Sequence, residues 1–293
     1  MSQIIGRKWG RMVLSLRKNV WLFFAFALVA HSPQASAREG ELRLDSAASA
    51  AVGVGFEVSH GDYGAGADAT VVTLPLSVFL YPVEKLDVDI EVPFLYLSSK
   101  SGSGMVVTGS GGVGRGRGGG GSRPAGSGAA TVNESGIGDI NMTAGWTLLQ
   151  EGDSSPKVRP TFYLKVPSGD LNRGLGTGTV EAGPGISVSK WLGGIHLYGE
   201  GAYIFQNSKS DYAGRNYISY LGEAGIQAAD RWFVSLLAKG SSARSDGADT
   251  QAEGRLKVSF MHSRRLLWEI YGSAGFTDAS PDVGGGIMVV YQF

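Results

Sequence analysis

Toward the C-terminus, Ile287, Val289, Tyr291 and Phe293 put an apolar side chain at every second position. A period of two is that of a strand, whose successive side chains point to opposite faces. An oily strand in hydrocarbon needs neighbours to take up its backbone N–H and C=O groups. One such strand therefore implies many more, closed into a barrel with no free edge.

Residues 1–37 read as an export signal. Arg7, Lys8, Arg11, Arg17 and Lys18 precede an apolar core from Val20 to Ala30, and Ala35-Ser36-Ala37 offers a small-residue cleavage site before Arg38. The core is far shorter than the roughly 20 apolar residues of a spanning helix. Cleavage near Ala37 removes five basic and no acidic residues, so the balanced 26 basic and 26 acidic residues of the whole chain become a mature charge of −5. That sign gives no footing to a nucleic-acid partner. With no cysteine, a disulfide scaffold, a thiol nucleophile and a thiolate metal site are all excluded.

Alternation recurs along residues 38–293 in segments bounded by Gly, Pro, Asp, Asn and Ser. It predicts strands near 50–60, 69–82, 86–98, 138–150, 158–168, 178–190, 194–206, 217–229, 232–242, 253–263, 267–277 and 283–293. The expected fold is all-β, a transmembrane antiparallel up-and-down β-barrel of about 12 strands, an even number as bacterial single-chain barrels require. Links largely alternate in length as such a barrel demands, the last outer link, Asp278 to Asp282, being a short exception. Val83-Glu84-Lys85, Trp191 to Gly193 and Asp230-Arg231 are short, whereas 99–137, 169–177, 207–216 and 243–252 are long. Trp191, Trp232 and Trp268 fall at the short links and Phe94, Tyr96, Tyr203, Phe205 and Phe276 near the long ones, where interfacial aromatic belts are expected.

With Tyr291 and Phe293 facing lipid, parity assigns an outer face to Val52, Val54, Phe56 and Val58 and to their counterparts in other strands. The other parity collects the charges, and these are the expected pore-lining residues. The acids are Glu57, Asp87, Asp89, Glu91, Glu181, Glu200, Glu223 and Glu269. The bases are Arg159, Lys165, Lys239, Arg255 and Lys257, and the aromatics are Tyr163, Tyr198, Tyr217 and Tyr271. A charge in hydrocarbon costs about 2–4 kcal/mol at mid-depth for Lys or Arg, so confinement to one parity supports the barrel. Asp87, Asp89 and Glu91 share one strand face and need hydration or basic partners. The same residues serve equally as an ion-pair network filling a small barrel, and the tyrosines as packing.

Fifteen glycines lie between Gly102 and Gly138, interspersed with Arg115, Arg117 and Arg123. Such a tract buries too little apolar surface to fold alone, and reads as a long extracellular loop over 99–137. It lacks the Gly-Lys-Ser/Thr ending of a phosphate-binding loop. An exported chain also has no RNA for an Arg-Gly segment to bind.

Three stretches carry a family resemblance: Gly136-Ile137-Gly138-Asp139, Lys165-Val166-Pro167-Ser168-Gly169-Asp170, and Gly174-Leu175-Gly176-Thr177-Gly178. In order and spacing they resemble the MetA-pathway phenol-degradation family of outer-membrane proteins over roughly residues 75–205. That family usually has Thr at the position of Ser168, and the glycine-rich insertion is not typical of it. The resemblance implies a porin-like barrel associated with passage of aromatic or other hydrophobic compounds. The C-terminal strand with Tyr291 and Phe293 likewise resembles the signature read by the bacterial barrel-assembly machinery. Taken as residues, Gly-Asp pairs are turn chemistry, so Asp139 and Asp170 are read first as structural.

The leading expectation is a passive outer-membrane channel with small-molecule solutes and outer-membrane lipids as partners, no cofactor, no metal and no catalytic residue. Two alternatives stand beside it. A lipid-modifying enzyme would need a base near a nucleophile, and only His60, beside Ser59 and Asp62, has suitable neighbours. Adjacent strand residues point to opposite faces, which separates Ser59 from His60. A structural or adhesive barrel would use the glycine tract as an exposed arm.

Overall fold

The computed structural model describes residues 49–100, 105–108, 112–115, 131–207, 214–246 and 248–293. The expected export signal lies outside the described residues. The strands are β1 (Ala50–Gly61), β2 (Ala69–Val83), β3 (Leu86–Lys100), β4 (Met105–Thr108), β5 (Gly112–Arg115), β6 (Thr131–Ile137), β7 (Ile140–Trp146) and β8 (Lys157–Val166). There follow β9 (Glu181–Leu192), β10 (Ile195–Gln206), β11 (Tyr217–Ala229), β12 (Trp232–Ser241), β13 (Gln251–Ser263), β14 (Leu266–Gly275) and β15 (Val283–Gln292).

Antiparallel ladders link β1, β2, β3 and β7 through β15 in chain order. The ring closes where β15 pairs with β1 from Ala51↔Gln292 to His60↔Val283. Strand β6 pairs with the far half of β3, from Phe94↔Ile137 to Lys100↔Thr131, and β7 with the near half. The two are therefore one barrel strand broken at Gly138-Asp139, and the barrel has twelve strands. This corrects two boundaries. The expected strand 138–150 leaves the ladder at Trp146, and residues 131–137, expected in the glycine-rich loop, are strand. Gly138 still donates to Pro93 O at 2.8 Å, so the break turns the Asp139 side chain without leaving that backbone group unpaired.

One end of the barrel has two-residue links at Glu84-Lys85, Gly193-Gly194, Asp230-Arg231 and Arg264-Arg265, and the other carries the long connections. Gly193 takes φ +62°, which the tight β9–β10 turn requires and a side chain would resist. Outer-face residues such as Phe56, Phe162, Leu236 and Ile270 are exposed, forming an apolar belt. Trp146, Trp232 and Trp268 are exposed on that belt near the short-turn end, and Phe94, Tyr96, Tyr203, Phe205 and Phe276 near the long-loop end. Trp191 breaks the pattern. It was expected in the rim, but its register with His196 puts it on the inner face.

At the long-loop end, three connections fold inward over β2 and β3. Tyr63 from the β1–β2 link, Val107 of β4 and Leu175 from the β8–β9 link pack with inner-face Ala69, Val71, Leu95 and Leu97 in one buried apolar cluster. Tyr63 adopts φ +48°, costly for a non-glycine residue, and its hydroxyl donates to Ser59 Oγ at 2.8 Å. Burial pushes that hydroxyl up to about 12, so it stays a donor. Val107 N donates to Gly174 O at 2.9 Å, which ties the β4–β5 hairpin to the β8–β9 link. At least this part of the glycine-rich connection is thus seated in the mouth, as a cap on one side.

The two faces of β12 should respond oppositely to the same substitution. Leu236→Arg, on the outer belt, should cost about 2–4 kcal/mol at mid-depth and lower the folded fraction read by heat-modifiable gel mobility. Leu237→Arg, one residue on and inside, should leave it nearly unchanged.

Candidate functional site

The cross-strand registers can be followed around the inner face one level at a time. One level joins Glu91, Asn141, Lys165, Glu181 and Gln206. Another joins Arg159, Ser187, Glu200, Leu221, Lys239 and Glu253. Asp89 and Tyr163 meet through Thr143, and Asp87 lies opposite Gly145. Toward the short-turn end, Tyr198, Glu223, Leu237 and Arg255 form one row and Lys257, Tyr271, Gly286 and Glu57 another, with Glu269 one level further. All seventeen residues expected on the inner parity share that one face.

Most of its charges are matched. Arg159 makes a two-pronged pair with Asp87, with Nε to Oδ1 at 2.8 Å. To get there the guanidinium passes over Gly145, where a Cβ would lie 2.0 Å from it. Lys257 Nζ reaches Glu223 at 3.2 Å and Glu269 at 3.8 Å. Glu253 pairs with Arg255 and lies 3.8 Å from Lys239, while Arg255 also stacks over Tyr271 at 4.3 Å. Of the three acids on β3, only Asp87 has a basic partner among the described residues. Glu91 accepts from the neutral Asn141 amide at 3.3 Å, and buried Asp89 Oδ1 has no hydrogen-bond partner there.

The glycine-aspartate stretches singled out in the sequence converge on a single buried knot. Asp139, turned inward at the β6–β7 break, accepts Gly169 N at 3.0 Å and Thr177 N at 2.9 Å. Lys165 Nζ lies 3.1 Å from Asp139 and also bonds Glu181 and Thr177. Tyr217 donates to the second Glu181 oxygen at 2.7 Å. Gly176 is required here, because a Cβ would sit 2.3 Å from Asp139 Oδ1. Lys165 is 0% exposed and Glu181 1%, so these two, expected to line an opening, are sealed into the wall. Two carboxylates, one ammonium and their hydrogen-bond donors compensate one another, since none could be left unpaired in such a place. Asp170 plays the turn role expected of it, accepting Asn172 N at 2.9 Å at the head of the short 3-10 turn Leu171–Arg173.

At the short-turn end, Trp191, His196 and Phe233 form an inward aromatic cluster with ring centroids 5.2–6.3 Å apart. Sequence reasoning assigned Trp191 to the lipid interface from its nearness to a turn. Its parity with Glu181 was the signal that placed it inside. Among the described residues, two larger cavities stand out in the interior. One, of about 150 Å³, lies beneath Val107 and is bounded by Glu57, Glu91, Lys239 and Arg255. The other, of about 240 Å³, lies on the far side between Tyr163, Tyr217, Leu221, Lys239 and Arg244.

His60, Ser59 and Asp62 form no nucleophile–base array. His60 Nδ1 pairs with Thr70 Oγ1 at 3.0 Å, Ser59 accepts from Tyr63, and Asp62 accepts Gly64 N at 3.1 Å. Among the described residues, no group of three or more His, Asp and Glu is placed to hold a metal ion.

A sequence profile described as "Putative MetA-pathway of phenol degradation" matches residues 80–293. The chain belongs to that family. The MetA-pathway match takes in every barrel strand from β3 onward, and so includes the whole Asp139 knot. No curated protein matches the chain. Among solved structures, the COG4313 outer membrane channel from Pseudomonas putida F1 is 14% identical with TM-score 0.62, covering 88% of this chain and 100% of its own. The NanC porin is 11% identical with TM-score 0.48, covering 83% and 100%, and the KdgM porin is 8% identical with TM-score 0.47, covering 83% and 99%. The first of these likenesses supports the twelve-stranded fold of this MetA-pathway member.

Lys165→Met should strand Asp139 and Glu181 without their cation and cost about 3–5 kcal/mol, read as a lowered thermal transition in detergent. Gly145→Ala should displace the Arg159 guanidinium and release Asp87. A smaller loss than for Lys165→Met is expected there, because the Arg159 pair is partly open to solvent.

Proposed function

We propose that this chain is a passive channel of the bacterial outer membrane for small solutes, aromatic or otherwise hydrophobic ones among them. The observation that carries this is the sidedness of the wall: an apolar belt outside, and inside it charged rows and two cavities. A packed core would have no use for the second. The likeness to an outer-membrane channel and membership of a family described by phenol degradation support the same reading. No covalent chemistry is involved, and the dispersed hydrogen bonds of His60, Ser59 and Asp62 favour no enzyme.

Selectivity in such a channel comes from the charge and width of its lining. The apolar cap of Tyr63, Val107 and Leu175 narrows the mouth over β2 and β3, which sends solute along the opposite wall. Asp89 and Glu91, which make no ion pair among the described residues, are the acids that would bias the interior toward cations.

In planar-bilayer recordings, the triple change Asp87→Asn, Asp89→Asn and Glu91→Gln should reduce cation preference. The shift should be strengthened by the Arg159 charge it frees, and unchanged reversal potentials would make the three acids structural. Val107→Asp should unseat the cap and raise single-channel conductance. Equal conductance would mean that the cap does not limit the path.

A further inference from the structure

We propose that the short-turn rim over β11–β14 is a docking surface for a phospholipid with a net negative headgroup. The proposal concerns the outside of the wall and stands apart from conduction. Two neighbouring turns put three exposed arginines there, Arg231 in the β11–β12 turn and Arg264 and Arg265 in the β13–β14 turn. Backbone bonds hold both turns in place. Arg231 O accepts Met261 N at 2.9 Å, and Arg265 O accepts Gln292 N at 2.9 Å. The Arg231 guanidinium reaches toward the second turn, with Nη1 3.5 Å from the His262 carbonyl oxygen, and so spends at most one of its five N–H donors. The ion pairs among the described residues involve none of the three arginines. Asp230 is the single acid in the two turns. The other links at this end differ: Glu84-Lys85 is balanced, Gly193-Gly194 is uncharged, and beside the β7–β8 link Lys190 is held by Glu151 and by the Gly152 and Ser155 carbonyls. Positive charge therefore collects on one side of the rim.

The lipid face beside these turns decides what kind of anion docks. Trp232, Phe260 and Trp268 are register partners, one aromatic row across β12, β13 and β14, with the first two ring centroids 4.5 Å apart. Val234, Val258 and Ile270 form the next row, and Leu236 and Leu256 the one after, so the aromatic row runs without a break into the apolar belt. Tryptophan favours the headgroup level of a bilayer, which puts the arginines just past this row at the depth of lipid phosphates. A guanidinium meets a phosphodiester through two parallel N–H···O bonds, so the match is one of shape as well as charge. A zwitterionic lipid would bring an ammonium into a cluster of three cations, whereas a net negative one brings none. A soluble acidic partner would engage the arginines and leave the adjoining aromatic and aliphatic rows unused.

The test reconstitutes the purified protein in phosphatidylethanolamine vesicles with a minor fraction of phosphatidylglycerol, the acyl chains of one lipid or the other being brominated in turn. Tryptophan quenching then reports which lipid lies against Trp232 and Trp268. Phosphatidylglycerol should be enriched about tenfold over its share of the bilayer, as several basic residues near the surface imply. Arg231→Gln, Arg264→Gln and Arg265→Gln together should bring quenching down to that share, while Lys85→Gln on the β2–β3 turn should keep the enrichment. Both variants change exposed turn residues and should retain the heat-modifiable mobility of the folded barrel. Trp232→Phe with Trp268→Phe should abolish the excess quenching, since both reporters are then gone. Quenching of the wild type in proportion to lipid share, an equal loss with Lys85→Gln, or excess quenching that survives removal of the two tryptophans would each overturn the docking surface. Displacement of the excess by inorganic phosphate would make the patch a site for free phosphate and overturn it as well. Conductance of the same vesicles tests the channel separately: enrichment without conductance removes the channel alone, and conductance without enrichment removes the docking surface alone.

Discussion

Hydrocarbon offers no hydrogen-bond partner, so every N–H and C=O of a chain that crosses it must be paired within the protein. The β1–β15 ladder meets that demand by joining the last strand to the first, and without it both would carry a row of bare backbone groups. Closure then dictates the rest. A sealed ring has an inside and an outside, the pleat delivers alternate residues to each, and charge is tolerated on only one of them. Short two-residue links gather at one end because antiparallel neighbours can be joined that tightly, while the other end is free to elaborate.

Inside the ring, the same low-dielectric surroundings make unpaired charge expensive, and the interior is organised around avoiding it. On the β7–β9 side the Asp139–Lys165–Glu181 knot gathers the glycine-aspartate stretches into one buried, hydrogen-bonded cluster. On the β2–β3 side the inner face turns apolar near the mouth and three connections cover it. What lies between is asymmetric: a small acid-flanked cavity under the cap and a larger one walled by tethered tyrosines. The candidate path is thus set by where the wall has been filled.

Strands, their number and their sidedness were legible in the sequence because each rests on a local period of two, and a one-residue slip would have turned Asp87, Asp89 and Glu91 toward lipid. Residues 131–137 were missed as strand. Their pattern is diluted by glycine and Asn133, and only the partner β3, distant in sequence, reveals them. The structural role read for Asp139 holds, but its partners were not legible for a related reason: they come from Lys165, Gly169 and Thr177, brought together by register and not by spacing. Trp191 was placed at the membrane surface by a tendency of tryptophan near turns, when its parity already pointed it inward beside His196 and Phe233. The inward fold of Val107 had no local signal, since the short run Met105-Val106-Val107 in a glycine tract shows nothing of the apolar inner face that receives it.

Because the chain has no cysteine, single cysteines can be placed along β13 from residue 254 to 260 and read one at a time. In reconstituted bilayers, a water-soluble charged thiol reagent should react at 255 and 257 and change the current, while labels at 254, 256, 258 and 260 should be quenched from the lipid phase. A two-residue alternation of that kind is what a barrel with an aqueous interior predicts. Uniform protection of both sets from water would contradict it.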